Sequence, residues 1–232
     1  TQSVVVEAGR PRLEPLALSS QQARAELDPF GDGNTMRSVV LVVSPAARGS
    51  GVVVDTQGLI LTNWQVVRRF RRVTVWLKEA GSAGVDSTAA RSAIVIRTNR
   101  TSDLALLQLE GDSPVNVPPI AMALRAAHSR GEPVHLVSHA GNAQWQHTPG
   151  QYESAKATHS WLSNGKHVHK AAVVRARLET RPELTGGPLL NDSLQMVGLS
   201  SQVSKRTSHV YAVSVEGVRR FLAGQSAPDP GG

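Results

Sequence analysis

Hydrophobic positions along the chain fall in short runs set off by glycine, proline and polar turn residues, a pattern of strands rather than of amphipathic helices. In the first half these runs predict strands over residues 37–43, 49–54, 59–62, 73–77, 93–97 and 104–109. A turn-rich stretch, 111–119, and the segment 120–130 lead to a second series over 133–138, 151–158, 168–177, 188–191, 195–202 and 209–214. Six runs twice over predict an all-β chain of two six-stranded antiparallel barrels, although the halves show no sequence repeat.

Helical signals lie near the two ends. Ser19 with Gln22 three residues on has the spacing of a capping box, so 19–27 reads as a short helix that Asp28-Pro29 stops. Val215, Val218, Phe221 and Leu222 recur at helical spacing ahead of Gly224, a glycine placed to end a helix. The expected organisation is an N-terminal arm with a short helix (1–35), a first barrel (36–125), a second barrel with a C-terminal helix (126–223) and a flexible tail or linker (224–232).

Composition sharpens this picture. Forty per cent hydrophobic residues with only 4% aromatics means a core of Val, Leu, Ala and Ile, which favours sheets. The absence of cysteine excludes disulfides, thiolate metal sites and a cysteine nucleophile. Twenty Arg and five Lys give a net charge of +7. That excess favours acidic protein or peptide partners, anionic surfaces or polyanions on electrostatic grounds. No run of eighteen apolar residues is present, so no transmembrane segment is expected.

Candidate chemistry centres on Pro182-Glu183-Leu184-Thr185-Gly186-Gly187-Pro188-Leu189-Leu190-Asn191, where a Gly-Gly turn can lift the Thr185 hydroxyl to the lip of a strand. Two upstream stretches accompany it: Gly49-Ser50-Gly51 followed by a hairpin and Thr62-Asn63-Trp64-Gln65-Val66-Val67, and Thr101-Ser102-Asp103-Leu104-Ala105. Together with Val210-Tyr211-Ala212-Val213 before the last helix, these resemble the ordered motifs of HtrA/Deg-type, trypsin-like serine proteases over residues 36–223. The resemblance implies a chymotrypsin-like pair of barrels and an exported, periplasmic-type location. It also assigns triad-equivalent positions to Gln65, Asp103 and Thr185, and the oxyanion side to Glu183 and Leu184. The segment Ser200-Ser201-Gln202 matches the family's strand for extended peptide.

The chemistry departs from that family. Only the carboxylate, Asp103, is kept; an amide stands where the base is expected and threonine where serine is expected. Glutamine has no useful basicity near neutral pH, and Glu183 replaces a glycine whose N–H would face the oxyanion. The expected function is therefore a catalytically inactive protease homologue, a pseudoprotease acting as a binding or scaffold module, with oligomer formation left open. One alternative is residual or self-processing cleavage through Thr185 with a neighbouring histidine as base.

A second alternative is a domain repurposed for a transition metal. Six of eight histidines lie between His135 and His169, and His167 and His169 share one face of a strand. His159, His147 or Asp103 could supply a third ligand. The competing reading of this pair is a solvated strand face, with no cofactor, because Lys166 and Lys170 oppose a cation. Arg68-Arg69-Phe70-Arg71-Arg72 reads as a solvated loop face, and a single aromatic there disfavours nucleic acid.

Overall fold

The structure is a computed structural model that describes residues 34–78, 90–111, 117–126, 128–140, 144–163, 165–179, 185–204 and 207–225. Strands β1 (Val39–Val43), β2 (Arg48–Val53), β3 (Leu59–Thr62), β4 (Arg72–Trp76), β5 (Ala90–Asn99) and β6 (Leu104–Leu109) close one barrel in the order β1-β2-β3-β6-β5-β4. Strands β7 (Pro133–Ala140), β8 (Gln144–Ser163), β9 (His167–Leu178), β10 (Pro188–Asn191), β11 (Met196–Val203) and β12 (His209–Ser214) close the second in the order β10-β11-β12-β9-β8-β7. Three helices are described: α1 (Asn34–Arg37), α2 (Trp64–Val67) and α3 (Val215–Leu222). The architecture is the chymotrypsin-like double barrel anticipated above. No helix among the described residues is long and apolar enough to cross a membrane.

Both faces of several strands are buried, which is why their sequences read as continuous apolar runs rather than alternations. Along β1, Val40 and Val42 join the cluster inside the first barrel while Val39 joins a cluster shared by the two barrels. The same parity divides β6, with Ala105 and Leu107 inside and Leu104 and Leu106 at the seam. From the other side, Leu190, Met196, Leu199 and Val213 reach that seam, while Leu189, Val197, Val210 and Ala212 fill the second barrel. The seam is thus a third core, and the site is built along it.

The chain between the barrels is pinned by α3. Met196 N donates to Ala121 O at 2.8 Å and Ala123 N to Met196 O at 3.0 Å. Arg219 donates to Met122 O and Leu124 O, and Glu216 accepts from Ala126 N. Ser214 caps the helix by accepting from Gly217 N. At the other end, Arg97 of β5 donates to Phe221 O at 2.7 Å and Leu222 O at 3.0 Å, so a first-barrel cation satisfies carbonyls at the C-terminus of a second-barrel helix.

Several boundaries differ from those expected. The helix expected over 19–27 lies outside the described residues, as do most of the arm and tail. Residues 34–37 form one helical turn, so the first strand begins at Val39 rather than at 37. Trp64–Val67, between the strands expected over 59–62 and 73–77, is a second short helix. The strand expected over 151–158 is twenty residues long, Gln144–Ser163. Its polar composition conceals this length, which pairing with β9 sustains through register shifts at Tyr152/Ser154 and Lys156/His159.

Replacing Arg97 with Ala should leave the barrels folded but lower stability by roughly 1–2 kcal/mol, a fall in Tm of about 2–6 °C. Thermal denaturation checks this, and an unchanged Tm would show that the helix end does not depend on that guanidinium.

Candidate functional site

Gln65 is placed by the four-residue helix α2 and Asp103 by the tight turn between β5 and β6. Asp103 sits at φ 56°, a left-handed conformation that few non-glycine residues adopt. Its carbonyl accepts from Trp64 N at 3.1 Å and from Asn63 Nδ2 at 3.2 Å, which ties the turn to the start of α2. Its carboxylate faces Gln65. Oδ1 accepts from the Gln65 backbone N–H at 2.9 Å, and Oδ2 accepts from Gln65 Nε2 at 2.7 Å.

The second hydrogen of Gln65 Nε2 crosses the seam to Ser201 O, 2.9 Å away. Both amide hydrogens are therefore spent, one on each barrel. No hydrogen bond joins Gln65 to the Thr185 hydroxyl, and among the described residues that hydroxyl has no partner. Asn63 makes a parallel bridge, its Nδ2 also donating to Ser201 Oγ at 2.8 Å.

Thr185 stands half-buried in the extended segment before β10, and its carbonyl accepts from Ser50 N at 2.8 Å. The following glycines are required by space as well as by angle. Gly186 has φ 92°, and a β-carbon there would lie 2.1 Å from Ser50 O; at Gly187 one would lie 2.0 Å from Val137 O. Behind this turn, His139 N donates to Ser50 Oγ at 2.9 Å and His139 Nδ1 lies 3.3 Å from the same oxygen. His139 is fully buried against Trp145. Burial, with the Arg48 charge adding to it, lowers its imidazolium to about 3. It is neutral and turned toward Ser50 rather than the threonine hydroxyl.

The expected peptide strand is occupied from within. Ser200 donates its N–H to Gly187 O and accepts from Gly186 N. The Ser201 carbonyl is held by Gln65, and Gln202 Oε1 lies 2.9 Å from His159 Nε2. His159 stacks on Tyr211 with centroids 4.2 Å apart and parallels Trp161 at 5.9 Å. Glu183 and Leu184 lie outside the described residues.

His167 and His169 share a face of β9, as expected, but only the His167 end of that face meets solvent. His169 is fully buried, with Nδ1 2.6 Å from Arg100 O and Nε2 2.7 Å from Ser163 Oγ. His167 Nδ1 lies 3.1 Å from Arg100 Nη2, and both imidazoles meet the Trp64 ring edge-on. Trp64 thus anchors the tip of the β8–β9 hairpin to the first barrel. The third ligands considered are elsewhere engaged, His159 on Gln202, Asp103 on Gln65 and His147 3.0 Å from His135. Among the described residues no three His, Asp or Glu side chains are arranged to hold a metal ion. Sequence reasoning missed Asn63, Ser50 and His139 as parts of the seam. The first two stand inside the Thr-Asn and Gly-Ser-Gly motifs, and nothing in the pattern signals the third.

Two barrels with a carboxylate, a facing side chain and a hydroxyl at their seam define the architecture of a trypsin-like peptidase. The family model of the trypsin-like peptidase domain matches residues 49–199, and the chain belongs to that family, in its HtrA/Deg type. Its relatives include a chloroplastic Protease Do-like 1 of Arabidopsis thaliana, 27% identical over 160 residues, which are 68% of this chain and 34% of the relative. A probable periplasmic DegP-like serine endoprotease of Hahella chejuensis is 28% identical over 166 residues, 72% and 32% respectively. The chain thus spans about a third of the length of these relatives. Among solved structures, the active form of the Rv3671c protease of M. tuberculosis superposes with a TM-score of 0.70 at 21% identity, covering 99% of this chain and 97% of that one. Deg5 does so at 0.67 and 18%, covering 90% and 99%.

Burial pushes the Asp103 carboxyl up to about 7, against the lowering effect of the Gln65 hydrogen bonds. An unfolded aspartate ionises near 4, so between roughly pH 4 and 7 the native chain holds a proton that the unfolded chain has released. This contribution is full below pH 4 and is lost as pH rises through 7. Urea unfolding at pH 5 and pH 8 should show the wild type losing more stability than Asp103→Asn, and identical pH dependence would contradict the assignment.

Proposed function

We propose that this domain is a non-proteolytic member of its family, acting as a protein- or peptide-binding or scaffold module. The observation that carries the reading is the state of Gln65: its amide nitrogen is committed to Asp103 and Ser201, and an amide cannot take up the threonine proton. In a working triad an imidazole at this point accepts the hydroxyl proton while the carboxylate holds its tautomer. Here the carboxylate orients an amide instead, and the same hydrogen bonds become a structural clasp.

The clasp bears on binding as well. An extended peptide seeking the Ser201 carbonyl meets an acceptor already engaged by Gln65, so ordinary substrate pairing competes with an internal contact. Partners are accordingly recognised through charge and surface shape, and the excess of arginine favours acidic ones. Its relatives' names place them in the periplasm or the chloroplast, which supports an exported location for this chain.

Unstructured casein is the test. Wild type and Thr185→Ala should release peptide at the same blank level, since a broken triad costs about a million-fold in turnover. Cleavage by wild type that Thr185→Ala abolishes would establish the rival reading, a hydrolase working through Thr185.

A further inference from the structure

Away from Gln65, a small cavity of about 40 Å³ opens between the β5–β6 turn, the middle of β9 and α3. It has room for roughly three waters or one carboxylate-sized group. Asn99 and Ser102 contribute from the turn, Lys170 from β9, and Arg220 from α3, with Phe221 and Val213 forming the apolar floor. Among the described residues no Asp or Glu lines it.

Three of these groups are left wanting a ligand. Ser102 is 7% exposed and among the described residues its hydroxyl has no hydrogen-bond partner, while its backbone N–H is held by Asn99 Oδ1 at 3.0 Å. Arg220 Nε is likewise buried, without a partner among the described residues. Among the described residues neither Arg220 nor Lys170 forms an ion pair with a carboxylate. On the two strands beside it residues 87–102 and 154–178 contain no acidic residue, and Glu216 of α3 is engaged by Ala126 N. Two cations drawn to one crevice repel each other unless an anion lies between them, and a buried unpaired donor is costly.

We propose that this crevice is an oxyanion-binding site, taking one carboxylate or phosphate group. Arg220 and Lys170 supply the charge and Ser102 a neutral donor at the back. The turn that carries Ser102 also carries Asp103, and the Lys170 N–H donates to Thr101 O at 2.6 Å. An anion here therefore braces the segment that positions the Gln65 clasp. The site does not depend on whether the domain cleaves peptide.

The experiment is a titration of the folded domain with sodium phosphate and, separately, sodium acetate. Ionic strength is held constant with chloride, and Tm and heat of binding are read. Saturable binding of either anion is expected, and the tighter of the two names the preferred group. Arg220→Gln and Lys170→Gln should each weaken it at least tenfold and Ser102→Ala about threefold, while Arg177→Gln, exposed on the second barrel, should not change it. The unliganded Tm of Arg220→Gln and Lys170→Gln should equal or exceed that of wild type, an outcome a merely structural role would reverse. Binding no better than chloride, or binding unchanged in both cation variants, would overturn the proposal.

Discussion

A carboxyl group buried where two barrels meet sets the terms for everything near it. Asp103 is removed from water in a left-handed turn, and burial alone would hold it neutral. The donors that reach it come from one residue, Gln65, through its backbone and its side chain. Because the same amide also reaches Ser201, the carboxyl group is joined to the second barrel through a single side chain. In an active peptidase that position must keep a lone pair for the hydroxyl proton. Here both hydrogens of the nitrogen point away from such a task.

Polar bridging between the barrels is repeated around the seam. Asn63 bridges Asp103 and Ser201, Ser50 joins the Thr185 carbonyl to His139, and Arg97 reaches from one barrel to the end of α3. Glycines at 186 and 187 let the turn pass within contact of Ser50 and Val137 backbone. The segment Thr185–Gly187 is thus held as part of the packing between barrels, whatever side chain stands at position 65.

How much of this the sequence disclosed follows from physical range. The twelve strands were legible because their apolar runs are bounded by turn residues, and the shared seam core even leaves a trace in the unbroken run Val39–Val43. Gln65, Asp103 and Thr185 were legible because each sits in an ordered motif. The length of β8 was not, since a hairpin with an exposed polar face carries little periodic signal. Nor was the burial of His169, which depends on Trp64 and on the Arg100 carbonyl, both more than sixty residues away in the chain. The two lysines beside the histidine pair gave a misleading impression of solvation, because alternate residues of a strand face opposite ways.

The claim that the threonine hydroxyl has no base is most directly tested with an organophosphonate reagent that phosphonylates only activated hydroxyls, read by intact mass and peptide mapping. Wild-type protein should keep its unmodified mass after prolonged exposure. A stoichiometric adduct on Thr185 would show an activated nucleophile and contradict the account.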